Sequence, residues 1–490
     1  MRLVNRSSCS SDIKKKIMNF KYIFILAITV LFYTSCKKDL GNYSYSPPSV
    51  PVVEGVKDVN FPALTGDTLV IKPKVSLDGA DPLKDLNFEW RIFVLEELKE
   101  IVYTGYPLKM LYGLGPGERA GTLVVTDKRN GLIYKFKFKV TGTTQFSTGS
   151  VVLSNDGGVT KLSFVKPDHT VLPNIYQNLN NLSLGGNPVQ LYYSKPLPYQ
   201  LLSKEEYWVL CNDEVKGSTI VDANTLLHKD NFKSQFFLPP ASVSPGYIEP
   251  VMGTISNGVI NNKLYIGIAS TAPFAPDYGK FANEQNGDYQ LSSFFTHGSS
   301  FYFGFDKKAK AFVIFGGDGS YLGTTYLVKE TSIFNPKSIG LQNLIFMKAG
   351  ESGTSYAYFK EADGNTYELK FSYKLTGKDK EIIPEHKRVF KGSSSVNADS
   401  KWVRNNLNVF YFSSNDKIWR YNPVNESLTE LEASFGGKKV TMLKISADGN
   451  TLSAGVNGFV YTLDVTVGKN GNITKTISGI PGEPIDLVIR

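Results

Sequence analysis

Cysteine is nearly missing from this chain. There are three, Cys9, Cys36 and Cys211, too few for a disulfide-stapled scaffold or a thiolate zinc site. Histidine is as scarce: His169, His228, His297 and His386 stand at least 59 residues apart, so no pair has the spacing of a local metal motif. The carboxylates Asp213, Asp222, Asp277 and Asp288 lie scattered through turn-like segments and lack the alternating spacing of a calcium loop. The glycine-rich piece Gly316-Gly-Asp-Gly319 has no Lys-Ser/Thr partner to make a phosphate cradle and reads as a turn after a strand. No metal, no cofactor and no catalytic constellation is expected from these residues. Helical periodicity is rare, and the apolar run near the N-terminus falls short of the roughly 20 residues a bilayer-crossing helix needs.

That apolar run is Tyr22–Tyr33, twelve residues without a charge, preceded by Lys21. It has the length and flank of an export signal, with Met18 as an alternative start. It ends in Tyr33-Thr34-Ser35-Cys36, which resembles a bacterial lipoprotein signal; Tyr33 departs from the leucine usual there. Two readings stand: cleavage before an acylated Cys36, or an ordinary secretory signal with an incidental cysteine. Under the first, residues 1–35 are removed, Cys36 carries lipid, and residues 36–50, ending in Pro47-Pro48, form a tether. Cys211 is then alone, and its setting Tyr207-Trp-Val-Leu-Cys211 reads as a buried strand rather than a nucleophile's surroundings. Residues 1–35 hold six Lys/Arg and one acidic residue, so their loss lowers the net charge from +9 to about +4. No basic stripe remains, and nucleic acid is not an expected partner.

What is abundant is glycine, at 44 residues, and aromatics, at 13%. Short β-branched or aromatic runs recur between Gly, Asn, Asp and Pro, and the chain reads as all-β. Residues 51–143 fit a seven-strand β-sandwich of immunoglobulin type. There Trp90 shares a face with Phe88 and Ile92 as the core plug, and Tyr134–Val140 alternates apolar and cationic residues. The turn Asp127-Lys-Arg-Asn-Gly131 is expected to place Asn130 and Gly131 at positive φ. From 146 to 490, strand pairs begin near Ser150, Glu206, Lys263, Phe301, Asn343, Asn408 and Thr441. Repeated sheets around an axis suit that pattern, and about seven blades of a β-propeller are expected, with two stacked sandwiches as the competing arrangement. In the propeller, Ile485–Ile489 pairs with the strand at 150–154 and closes the ring.

Cys36-Lys-Lys-Asp-Leu-Gly-Asn-Tyr-Ser-Tyr45, Gly66-Asp-Thr-Leu69, Phe88-Glu-Trp90 and Thr126-Asp-Lys-Arg-Asn-Gly-Leu-Ile-Tyr134 together resemble the PKD-like family lipoproteins. So do Gly149-Ser-Val-Val-Leu-Ser-Asn-Asp-Gly-Gly158 and Leu162-Ser-Phe164. The resemblance covers residues 36 to about 165 and brings no catalytic residues. It implies an outer-membrane lipoprotein, held by its N-terminal lipid on either face of that membrane. Such proteins are associated with importer complexes for glycans or peptides.

One segment singles itself out for binding: Ala269–Tyr289, long, polar and aromatic-bearing between two strands. Phe274, Tyr278, Phe281 and Tyr289 are the candidate ligand or partner residues, each ring offering a large face at small entropic cost; the alternative is that they pack the loop onto its own blade. Three function classes follow: a non-catalytic binding or accessory module, a propeller hydrolase or lyase acting on polysaccharide with carboxylates in its funnel, and an adhesion or envelope scaffold.

Overall fold

The computed structural model describes residues 48–195, 205–251, 255–268, 279–298, 300–349, 353–375 and 377–490. Cys36, Phe274 and Tyr278 lie outside these. Two units are distinguished. The smaller holds residues 48–52 and 76–82, with Leu77 buried; the larger holds Val53–Val75 and Leu83–Arg490.

The larger unit begins with seven strands in two layers. A five-stranded sheet runs in the order Asn60–Leu64, Ile133–Thr143, Gly117–Asp127, Leu86–Val94, Lys99–Thr104; Thr68–Ile71 pairs with Leu108–Leu111 in a separate two-stranded sheet. Asn60–Leu64 runs parallel to Ile133–Thr143, and the other ladders are antiparallel. Leu86–Val94 buries every second side chain, the two-residue period of a strand with one face in a core. Trp90 is fully buried, its indole donates to the carbonyl of Gly105 at 2.9 Å, and Phe138 meets it edge-on at 5.6 Å. Gly121 leaves the room for this: a Cβ there would stand 2.4 Å from the Phe138 ring.

The turn at Asp127–Gly131 departs from expectation. Only Gly131 has positive φ, at 76°. The buried Asp127 carboxylate organises the turn instead, accepting from the Arg129 backbone and guanidinium and from the Asn130 amide, and Arg129 holds that carboxyl down at about 2. A side chain that satisfies the turn's donors removes the need for a second left-handed residue.

From Gly149 onward the chain forms seven sheets. Blade 1, from the axis outward, is Glu483–Ile489, Ser150–Asp156, Val159–Val165 and Val171–Leu172; blade 2 is Pro188–Ser194, Glu206–Cys211, Thr219–Asp222 and His228–Asn231; blade 3 is Pro245–Val251, Ile255–Ile260 and Lys263–Ile266. Blade 4 is Leu291–Gly298, Phe301–Asp306, Ala311–Gly316 and Tyr321–Gly323. Blade 5 is Leu344–Ala349, Ser355–Lys360, Thr366–Lys374 and Glu381–Val389, with Leu327–Val328 added outside. Blade 6 is Trp402–Arg404, Phe410–Ser414, Lys417–Asn422 and Ser427–Glu430; blade 7 is Val440–Ile445, Thr451–Val456, Phe459–Asp464 and Asn472–Ser478. Each of the seven expected strand pairs falls in a different blade.

The core is divided among seven seams, one between each pair of neighbouring blades, from blade 1 against 2 round to blade 7 against 1. Within Ser150–Asp156, Val151 and Leu153 enter the seam with blade 2, while Val152 enters the seam with blade 7. Both faces of every blade are thereby covered, which is why these strands read as continuous apolar runs rather than alternating ones. The ring closes through Ser150↔Ile489, Val151↔Val488, Val152↔Leu487 and Leu153↔Asp486, as the terminal run predicts. This is a seven-bladed β-propeller, preceded by an immunoglobulin-type sandwich.

Candidate functional site

The innermost strand of each blade borders the axis, and polar residues cluster there at one level. On Pro245–Val251, Ile248 turns into the seam with blade 2, where the Gln190 amide clasps its backbone N–H and C=O at 2.9 and 2.7 Å. Tyr247 and Glu249 leave the strand on the other side, toward blade 4. The Tyr247 ring lies 6.5 Å from Phe295, and a Glu249 carboxylate oxygen lies 3.4 Å from Nε2 of His297. The other Glu249 oxygen is 3.8 Å from the ammonium of Lys348, which belongs to blade 5. Lys348 therefore reaches past the inner strand of blade 4 to blade 3. The Arg404 guanidinium donates to the Lys348 carbonyl at 3.2 Å. On the far side, Asp486 accepts from Lys444 at 2.7 Å and from the Leu191 backbone at 3.0 Å.

The electrostatics follow from partial burial. Loss of water raises the Glu249 carboxyl above its usual range, and Lys348 only partly offsets this. Burial likewise lowers His297, with the Lys348 charge adding to the effect, so the imidazole stays neutral near pH 7 and its contact with Glu249 is not a charge pair. Burial, then the negative charges of Glu249 and Asp486, push the Tyr247 phenol far up. Tyr247 nevertheless keeps 40% of its surface exposed. The arrangement offers donors (Lys348, Lys444, the Tyr247 hydroxyl), acceptors (Glu249, Asp486) and one aromatic face.

Of the residues expected to bind, Phe281 and Tyr289 are corrected. Phe281 is fully buried among Trp208, Phe232, Phe236 and Tyr265. It bridges to Gly267 and Phe236, while the neighbouring Ile268 N–H donates to the Lys280 carbonyl at 2.9 Å. Among the described residues blade 3 has three full strands, and residues 279–282 run along the outermost of them. Tyr289 is 1% exposed, stacked on Tyr321 at 4.8 Å, with its hydroxyl donating to the Gln285 carbonyl at 2.7 Å. These two rings anchor the loop and present no face for binding. Cys211 is buried as expected, its thiol pushed up to about 11 by burial. Asp213 serves its turn, accepting from the backbones of Gly186, Val215 and Lys216. Among the described residues no three His, Cys, Asp or Glu come together as a metal would need.

Elsewhere, a cavity of about 520 Å³ lies between the sandwich and blades 1 and 2, walled by Arg119, Glu96, Glu205 and Arg490. Its arginines are already engaged, Arg119 with Glu96 and the Leu114 and Pro116 carbonyls, Arg490 with Glu205 and the Ala223 carbonyl. The Arg119 bonds stay within the sandwich and the Arg490 bonds within the propeller; the connection between them is held by the Thr144 hydroxyl, which donates to the Asn224 carbonyl of blade 2.

No residue spacing in the sequence points to the axial cluster. The one usable signal is topological: each member sits on the strand that opens a repeated unit, or on the closing strand.

Among solved structures, a quinonprotein alcohol dehydrogenase-like protein from Bacteroides thetaiotaomicron VPI-5482 is 13% identical, covering 89% of this chain and 99% of its own, with a TM-score of 0.44. A functionally unknown protein from Desulfotomaculum acetoxidans DSM 771 is 12% identical over 70% of this chain and 99% of its own, TM-score 0.44. The C-terminal WD40 domain of Sif2 is 10% identical over 68% and 84%, TM-score 0.39. The propeller assignment rests on the strand pairings and seams above rather than on these scores. No curated protein matches the chain. Residues 36–188, which take in the whole sandwich and the first strands of the propeller, match the model of the PKD-like family.

Proposed function

We propose that this protein is a lipid-anchored outer-membrane lipoprotein whose propeller is a non-catalytic binding module, serving the uptake of glycan or peptide nutrients beside an importer complex. Cys36 carries the anchor, residues 37–50 form the tether, and the sandwich displays the propeller. The observation that supports the binding role is the axial cluster: Lys348 reaches past blade 4 to Glu249, beside the exposed Tyr247, so that donors, acceptors and an aromatic side chain border the axis together. Binding needs complementary polar groups and no reactive one. The test is a panel of glycans and peptides presented to the detergent-solubilised protein, scoring retention and product release together. Retention without products is expected.

A second reading, a hydrolase or lyase acting on polysaccharide, has its own observation. Glu249 and Asp486 both press on the Tyr247 phenol, and a carboxyl raised by burial is a proton donor in waiting. Released products, abolished by Glu249→Gln, would replace the binding reading with this one.

A further inference from the structure

Resting on that binding reading, we infer that the axial cluster takes an uncharged saccharide, with the ring of Tyr247 as its stacking platform and the Glu249 and Asp486 carboxylates as acceptors for its hydroxyls. The charges in the cluster cancel in pairs, Lys444 with Asp486 at 2.7 Å and Lys348 with Glu249 at 3.8 Å. His297 adds no charge near neutral pH. A site balanced in this way has no net pull on an anion or a cation, and an ionic ligand would have to break a pair to enter.

A hydroxyl group meets no such barrier. It donates to a carboxylate with one hydrogen and accepts from an ammonium with its lone pairs, so it inserts between paired charges and bonds to both. Glu249 accepts only at long range from its partners, at 3.4 and 3.8 Å, which leaves its oxygens short of a full set of bonds. Asp486 already accepts from Lys444 and from the Leu191 N–H, so it offers the fewer vacant positions.

The shape of the groups points the same way. A pyranose carries hydroxyls at its edge and aliphatic C–H groups on its faces, and it needs a flat apolar surface beside polar ones. Tyr247 supplies that surface two residues from Glu249 on one strand, with 40% of its area exposed, while the aromatics beside it, Phe295, Tyr302 and Tyr192, are buried. An apolar peptide side chain would strip water from these charged groups and offer them no hydrogen bond in return, which would be costly. The Tyr247 hydroxyl stays protonated at every working pH and acts as a donor.

The test is titration calorimetry of the full protein in detergent with neutral oligosaccharides (gluco-, manno-, galacto- and xylo-series), with oligogalacturonate and with a casein peptide digest as the alternatives. Tyr247→Ala, Tyr247→Phe and Glu249→Gln are compared with the parent, and thermal melts confirm that each variant folds. The expected result is binding of at least one neutral series, weakened more than tenfold by Tyr247→Ala and by Glu249→Gln, and kept within about threefold by Tyr247→Phe, which retains the ring. Binding of only the acidic oligomer or only peptides, with the same dependence on Tyr247, overturns the saccharide inference and leaves the binding reading standing. Saccharide binding indifferent to Tyr247 and Glu249 overturns the assignment to the axis. Failure of every neutral series in a protein that melts normally overturns the inference outright.

Discussion

Glu249 is where the chain keeps a carboxylate that its own fold penalises. Its carboxyl is raised by burial, so the folded protein holds a proton there at pH values where the unfolded chain has released it. Stability therefore falls as pH rises from the ordinary glutamate range, near 4.5, through the raised value. Glu249→Gln should flatten that slope in thermal melts taken from pH 4 to 8, and should raise the melting temperature at pH 7 while ligand retention is lost. A melting temperature lower than the parent's at pH 7 would show that Glu249 serves the fold instead. Trp90 is the opposite case, a residue spent wholly on packing. Trp90→Ala removes a fully buried side chain braced by Phe138, and should cost about 3–5 kcal/mol in the sandwich, read as a shift in its unfolding midpoint.

Among the elements, two joints decide whether the ring holds. The seam of blades 5 and 6 contains a buried carboxylate, Glu368, which accepts from His386 Nε2 at 2.8 Å and from Arg388 Nη2 at 2.6 Å. Arg388 in turn donates to the Tyr421 hydroxyl at 2.9 Å and to Glu426 at 2.7 Å, both in the blade 6 region. Glu368→Ala removes the buried acceptor of His386 and Arg388, leaves Arg388 only Glu426, the Tyr421 hydroxyl and the Pro423 carbonyl, and should destabilise the protein by about 1–3 kcal/mol in urea titration. Glu368→Gln should recover part of the loss, because one acceptor oxygen returns. The other joint is the closing strand Glu483–Ile489. Deleting Glu483–Arg490 bares the Ser150–Asp156 edge and the apolar seam of blades 7 and 1. Trypsin should then cleave the propeller at protease levels that leave the intact protein whole, and equal resistance would mean that the ring closes without this strand.

At the scale of the whole molecule, the lipid proposed on Cys36 would set where the propeller works. Cys36→Ala should move the protein from the membrane fraction to the soluble periplasmic or extracellular fraction, while its thermal melt stays unchanged; retention in the membrane would break the lipid proposal. The architecture was largely readable from sequence, because blade strands buried on both faces are bounded by turn residues: Phe301–Phe305 and Ala311–Phe315 carry no charge and are separated by Asp306–Lys310. The axial cluster was not readable. Glu249, His297, Lys348 and Asp486 come from four different blades, and nothing in their spacing reveals that they converge. The aromatic loop misled for a related reason: Phe281 sits in a polar stretch, yet it runs along the outermost described strand of blade 3. A polar neighbourhood in sequence says little about a ring whose partners, Trp208 and Phe232, lie far away along the chain.

The closure has a consequence for biogenesis. Arg490 bonds to Phe146 across 344 residues of chain, and Ser150–Asp156 finds its inner neighbour only in the last strand. A propeller still being made must hold an unpaired strand edge and an open seam between blades 7 and 1 until that final segment arrives. Such edges invite pairing with other chains, and contacts this distant form slowly. A chain cut short by a stalled ribosome or a protease would keep its first blade open, a built-in mark by which chaperones and proteases can tell unfinished copies from finished ones.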